Sequence, residues 1–151
     1  MSLQECVIVD VDGTLAEFDS IAVKDWVLGP EKDWIPFFEF MADAKPIAEV
    51  KRLVDILKAS GQSILICSGR PHQYVEYTQA WLQKWDIPYD GLYLRPIGDD
   101  RVADEEVKEK LLVKMREDGF NPWLVLDDRS AVVDFWRKAG LCCLQCAPGD
   151  F

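Results

Sequence analysis

Asp10 and Asp12 stand two residues apart at the end of an apolar run, Cys6-Val7-Ile8-Val9, and are followed by Gly13-Thr14. Residues i and i+2 of an extended chain point to the same side, so the two carboxylates face one space. Three further apolar runs also end in polar groups. Ser63–Cys67 runs into Ser68-Gly69-Arg70, Gly91–Leu94 into Arg95, and Trp123–Leu126 into Asp127-Asp128-Arg129. Carboxylates crowded in this way repel one another and call for a counter-charge. A hard divalent cation supplies it through oxygen ligands alone, and Mg2+ typically takes one or two carboxylates together with phosphate oxygens and water. With a phosphate monoester of charge about −2 beside ionised Asp10, Asp127 and Asp128 and a protonated Asp12, the local sum is about −5. Mg2+ brings it to about −3, and a lysine plus Arg70 to about −1. Each pair at about 4 Å is worth a few kcal/mol at an effective dielectric of about 20, so cations decide whether such a substrate binds.

The lysine is found by helical spacing. Val107, Leu111, Leu112 and Met115 define one face of a helix that starts near Ala103. Lys108 falls in the middle of that face, with Asp104 one turn before it, whereas Lys110 and Lys114 fall on the far side and the flank. A lysine aimed inward either snorkels or serves a buried anion. Service fits here because the same face looks toward the carboxylates.

These groups require a frame. Strand-length apolar runs at Cys6–Val9, Ser63–Cys67, Gly91–Leu94, Trp123–Leu126 and Leu141–Leu144 alternate with helical periodicity. The helices are expected over Ile47–Leu57, Tyr74–Trp85, Ala103–Asp118 and Ser130–Ala139. The strands are apolar on both faces. This order predicts an α/β fold: a three-layer, Rossmann-like, mostly parallel sheet with helices on both faces and the polar groups beyond the strands' carboxyl ends. On this reading residues 1–151 form a single domain, and Ser68-Gly69-Arg70 stands directly before a helix whose free amides favour an anion. Residues 17–45 break the alternation. They carry Trp26, Trp34, Phe37, Phe38 and Phe40, too aromatic and too long for a crossover loop. A small cap over the site is one reading; a helix over about 33–43 packing on the core, or a dimer patch, is the other.

Composition narrows the classes. The 151 residues hold 17 Lys and Arg against 27 Asp and Glu, a net charge of −10, with 49% hydrophobic residues. Such a charge argues against a broad basic nucleic-acid surface and against an anionic membrane face, though not against a small cationic pocket. No apolar run approaches the ~20 residues of a membrane span, and the start around Val7–Val9 lacks the flanks of a signal peptide. Of the five cysteines, Cys6, Cys67, Cys142 and Cys143 sit in apolar stretches, as reduced core thiols of a cytoplasmic protein do. Cys143 and Cys146 have the gap of half a zinc site, but there is no second pair and His72 is the only histidine. His72 reads as a solvated residue in the first turn of its helix.

Taken together, the motifs resemble the haloacid dehalogenase superfamily of phosphotransferases. The strand with DxDGT is Asp10-Val11-Asp12-Gly13-Thr14, the next strand ends in Ser68, the downstream lysine is Lys108, and the late acidic pair is Asp127-Asp128. The strings Ser68-Gly69-Arg70, Leu94-Arg95-Pro96, Asp104-Glu105-Glu106-Val107-Lys108 and Asp127-Asp128-Arg129, with the ending Ala147-Pro148-Gly149-Asp150-Phe151, are similar to the 3′-phosphatase domain of phage polynucleotide kinase/phosphatases. There is no GxxxxGK[ST] loop for ATP phosphates. Relatives usually carry basic residues about ten positions after the first aspartate; here Glu17–Lys24 offers only Lys24.

The resemblance implies a Mg2+-dependent phosphomonoesterase that removes 3′-phosphates from polynucleotide ends or nucleotides through an aspartyl-phosphate. It makes Asp10 the nucleophile and Asp12 the proton donor and acceptor, with Thr14, Ser68 and Gly69 at the phosphoryl oxygens. Lys108 stabilises charge and Asp104 orients it. The metal is held by Asp10, the Asp12 carbonyl, and one or both of Asp127 and Asp128. Arg70 would grip the phosphate by two points, and Arg95 and Arg129 would contact a second phosphate or sugar, or else be surface arginines. The rival readings are a phosphatase for free nucleotides or other small monoesters, a phosphoacceptor signalling domain, and an inactive binding module.

Overall fold

The computed structural model describes residues 2–151. In chain order its elements are β1 (Gln4–Val9), α1 (Ser20–Val27), α2 (Trp34–Met41), α3 (Ala48–Ala59), β2 (Ser63–Pro71), α4 (Val75–Lys84), β3 (Gly91–Arg95), α5 (Asp104–Glu117), β4 (Phe120–Asp127), α6 (Ser130–Lys138) and β5 (Cys142–Gln145). The five strands form one parallel sheet in the order β3-β2-β1-β4-β5. Alternate residues of each strand feed opposite faces. Val7, Val9, Ile64, Ile66, Leu124 and Leu126 pack with Val54, Trp81 and Leu82 of α3 and α4. Cys6, Ile8, Leu65, Cys67 and Val125 pack on the other side with Val107, Leu111, Val132 and Trp136 of α5 and α6. The fold is therefore the expected three-layer α/β sheet.

Register sets the site. Val9 is level with Ile66 on one side and Leu126 on the other, so Asp10, Cys67 and Asp127 reach the rim together. The loop after β1 closes tightly, with the Val11 carbonyl accepting from the amides of Thr14, Leu15 and Ala16. Gly13 has φ +88°, and a Cβ there would lie 2.0 Å from Asp128 Oδ2. Glycine is required by both the turn and the neighbour.

Four expectations are corrected. β2 continues four residues past Cys67, and a 3₁₀ turn, His72–Tyr74, follows before α4. No α-helix N-terminus therefore stands next to Arg70, and the exposed His72 lies in that turn. The cause is a break in register, Ser68 pairing with Leu94 and Pro71 with Arg95, which leaves Gly69 and Arg70 bulged out of the ladder. β4 starts at Phe120, three residues early, with Trp123 skipped by the pairing to β1 and left on the surface. β5 is an edge strand and is apolar-packed only at Cys143; Leu144 and Cys142 are exposed, so Cys142 is not a core thiol.

The segment 17–45 holds two helices where one was expected. α1 is started by Asp19, whose Oδ1 accepts from the amides of Ile21 at 3.0 Å and Ala22 at 3.2 Å. α2 buries Trp34, Phe37, Phe38 and Met41 in the core. Val27, Leu28, Trp34 and Phe37 also line the pocket that holds the aspartates. The aromatics thus serve core and pocket roof at once.

Candidate active site

Eleven of the twelve residues singled out above line one pocket; Thr14 is the exception. Asp10, Asp127 and Asp128 are buried and present carboxylate oxygens all within 4.8 Å of one another. Lys108, 3% exposed on the inner face of α5, ties two of them together. Its Nζ donates to Asp10 Oδ1 at 2.9 Å and Asp127 Oδ2 at 2.7 Å. Burial lowers the ammonium's proton affinity, but Asp10 and Asp127 more than offset this and its pKa lies well above the usual lysine value.

Asp127 is fully spoken for. Its Oδ2 also accepts from Trp136 Nε1 at 3.1 Å and its Oδ1 from the Asp128 amide at 2.8 Å. Asp128 is not: Oδ2 is buried with no hydrogen-bond partner. Burial pushes the Asp128 carboxyl up to about 6, and burial together with Asp127 and Asp128 pushes Asp10 well above the carboxylate range against the pull of Lys108. An orphaned buried oxygen beside two further buried carboxylates fits a bound cation. The donor set is all oxygen, which suits a hard divalent ion such as Mg2+.

Arg70 is 2% exposed and makes a two-point pair with Asp12, Nη2 to Oδ1 at 2.6 Å and Nε to Oδ2 at 2.8 Å. Its Nη1 reaches Thr78 Oγ1 at 3.2 Å, and its guanidinium carbon lies 5.4–5.5 Å from the ring centres of Phe37 and Phe38. The guanidinium expected on phosphate is here placed on Asp12, and the bulge in β2 aims it there. Ser68 is buried at the pocket wall, and its hydroxyl accepts from the Arg70 amide at 3.1 Å. Thr14, expected at the phosphoryl oxygens, instead approaches Asp10 Oδ2 and Asp128 Oδ1, each at 3.3 Å. Gly69 is needed for packing, since a Cβ there would stand 2.8 Å from Asp104 Oδ1.

Asp104 does not contact Lys108, contrary to the spacing argument. It pairs with Arg95 and, at 2.6 Å, with Arg129 Nη1. Those two cations overcome its desolvation and hold its carboxyl below the usual range. The helical spacing located Lys108 correctly, but it could not reveal cations brought in from β3 and from the start of α6. Arg95 is 1% exposed and gives its remaining donors to the carbonyls of Gly69, Asp99 and Val102. It braces the loops. Arg129 donates Nε to the Phe151 carbonyl at 2.8 Å, with its guanidinium 5.2 Å from that ring. Sequence reasoning missed Phe18 and Phe151 at this rim. The helix cap at Asp19 was a readable signal for the turn that carries Phe18.

At the ends of β1 and β4, three buried carboxylates, a lysine clamped between two of them and Asp12 paired with Arg70 form one site. In fold the chain is similar to a haloacid dehalogenase-like family protein from Streptococcus pneumoniae, which superposes with a TM-score of 0.59 at 14% identity, covering 95% of this chain and 84% of that one. The chain belongs to the family of the polynucleotide kinase PNKP phosphatase domain, whose model matches residues 4–151. Two solved structures of the Pnkp1/Rnl/Hen1 complex are more similar. One gives a TM-score of 0.80 at 29% identity over 99% of this chain. The other, described as an RNA repair complex, gives 0.80 at 31% over 99%. The chain spans just under half of those proteins' matched chains, 47% and 44%. Among the described residues no helix is long and apolar enough to cross a membrane.

Proposed function

We propose that the domain removes 3′-phosphates from polynucleotide ends or nucleotides, through an aspartyl-phosphate formed on Asp10 and with Mg2+ as cofactor. The observation that carries the chemistry is Asp10 held by Lys108 at 2.9 Å in a pocket that Asp12 also lines. The choice of 3′-ends rests on the family and on the similarity to a protein of an RNA repair complex.

In the first half-reaction an Asp10 oxygen bonds to phosphorus, the bond from phosphorus to the sugar oxygen breaks, and Asp12 gives its proton to that oxygen. In the second, Asp12 as a carboxylate takes a proton from water, whose oxygen bonds to phosphorus and frees Asp10. Lys108 meets the charge on Asp10 and the phosphoryl group, and Ser68 donates to a phosphoryl oxygen. Both Asp12 oxygens accept from Arg70 in the resting site. One must be released before it can carry the proton, while the other keeps the carboxyl oriented. Asp10, Asp128 and the Asp12 carbonyl would hold Mg2+, with Asp127 supporting them; the ion would neutralise phosphate charge. The family is one of phosphatases, so the phosphoacceptor switch is not retained. Asp10→Asn is expected to abolish phosphate release from a 3′-phosphorylated oligonucleotide with the circular-dichroism spectrum unchanged. An unaltered rate would falsify the nucleophile assignment. Equal rates on 3′- and 5′-phosphorylated oligonucleotides, a 3′-mononucleotide and an aryl phosphate would instead favour a general small-monoester phosphatase.

A further inference from the structure

Phe18 and Phe151 line the catalytic pocket, and the chemistry above uses neither. The pocket's volume is about 60 Å³, room for about five waters at the space one water needs. That holds a phosphoryl group and not a nucleoside, so the rest of the substrate lies outside it. Both rings are half-buried, partly open to solvent, with their centres 5.4 Å apart. A second cavity, of about 300 Å³, adjoins the first: Phe18, Phe151 and Asp128 line both. Only the sugar separates a 3′-phosphate from its base, and only one layer of side chains separates the two cavities.

The two rings are held in place by their own segments. Residues 146–151 turn back across the end of β4, where the Cys146 amide donates to the Asp127 carbonyl and the Ser130 amide to the Gly149 carbonyl, each at 2.9 Å. Gly149 passes so close that a Cβ there would lie 1.9 Å from the Asp128 carbonyl oxygen. Arg129 then donates to the Phe151 carbonyl at 2.8 Å, with its guanidinium 5.2 Å from the ring centre. Beside Phe18, the Glu17 amide donates to the Lys45 carbonyl at 2.9 Å and Asp19 caps α1, which fixes the turn. Rings fixed before a ligand arrives lose little freedom on binding it.

The second cavity selects what can enter it. Its charged side chains are Glu17 and Asp128, and no Lys, Arg or His lines it. A further phosphate is repelled there. Ile47, Pro148 and the two phenylalanines offer apolar surface, and Glu17 offers a hydrogen-bond acceptor. A flat, uncharged ring with N–H groups at its edge matches both features.

We propose that Phe18 and Phe151 form a nucleobase subsite: the base of the nucleotide that bears the scissile phosphate packs on this pair and enters the adjoining cavity. The subsite rests on the phosphatase reading above for the scissile group.

The test is calorimetric binding, to Asp10→Asn, of a nucleoside 3′-monophosphate and of the same sugar phosphate without its base. The two carry equal charge, so their affinity ratio reads the base alone. The nucleotide is expected to bind at least about fivefold tighter, the low end for stacking one base on an aromatic side chain. Raising the salt concentration weakens both and leaves the ratio in place. Adding Phe151→Ala brings the ratio close to one with binding of the baseless phosphate retained, and Phe151→Trp keeps the ratio. A ratio near one with both phenylalanines present overturns the subsite, whatever the variants do. So does an equal loss for both ligands in Phe151→Ala, which would mark the ring as packing alone. Failure of the phosphatase reading shows separately, as no phosphate release from either compound by the wild-type protein with Mg2+.

Discussion

Arg70 has the environment of a strut: two rings beneath it, a threonine behind and a carboxylate in front. If its work is to orient Asp12, its loss should be felt where proton donation matters. Arg70→Gln is expected to slow an alkyl phosphate at least tenfold more than 4-nitrophenyl phosphate, whose leaving group needs no proton. Arg70→Lys should restore little, since one ammonium cannot reproduce a two-point pair. Equal losses on both esters would sink this role. A second residue-scale prediction concerns Gly13→Ala, which drives a methyl into the Asp128 carboxylate from a backbone at φ +88°. Its Mg2+-dependent rate should fall by more than tenfold, and calorimetry should show weaker Mg2+ binding.

Among the elements, the start of α5 joins β3 to α6 through Asp104 and its two arginines. The Asp104 carboxyl is held below its usual pKa in the folded protein. The unfolded chain therefore takes up that proton first as pH falls. The stabilisation is full above the unfolded value of about 3.9 and is lost as pH drops through the lower folded value. Asp104→Asn should cost about 2 kcal/mol at pH 7, with a gap to wild type that closes below about pH 4, read by urea unfolding. The five strands and four longer helices were legible because apolar runs and helical periods are local signals, and Lys108 was legible for the same reason. The bulge that turns Arg70 onto Asp12 and the sharing of Asp104 were not legible. Each depends on which segments the sheet order makes neighbours. α1 was missed because its eight residues bury only Val23, too few for a periodic pattern.

For the molecule as a whole, the clustered carboxylates of Asp10, Asp127 and Asp128 work against folding, and divalent-cation binding is expected to relieve them. Saturating Mg2+ at about 100 times its dissociation constant adds about 2.7 kcal/mol, or about 5–10 °C in melting temperature for a chain of this size. Asp128→Asn should lose most of that shift, and a chelator should reverse it in the wild-type protein. No shift in the wild type would contradict a divalent site at Asp10 and Asp128.

The order β3-β2-β1-β4-β5 has a further consequence. β1 is hydrogen-bonded along both sides, while β5, short and half open to water, has only one neighbour. Backbone amides of β1 should therefore exchange with deuterium only on global unfolding, and those of β5 through shallow local openings. The paired aspartates hang from the last part of the protein to come apart. Mild denaturant should release β5 protons while phosphate release stays intact, and turnover should fail together with β1.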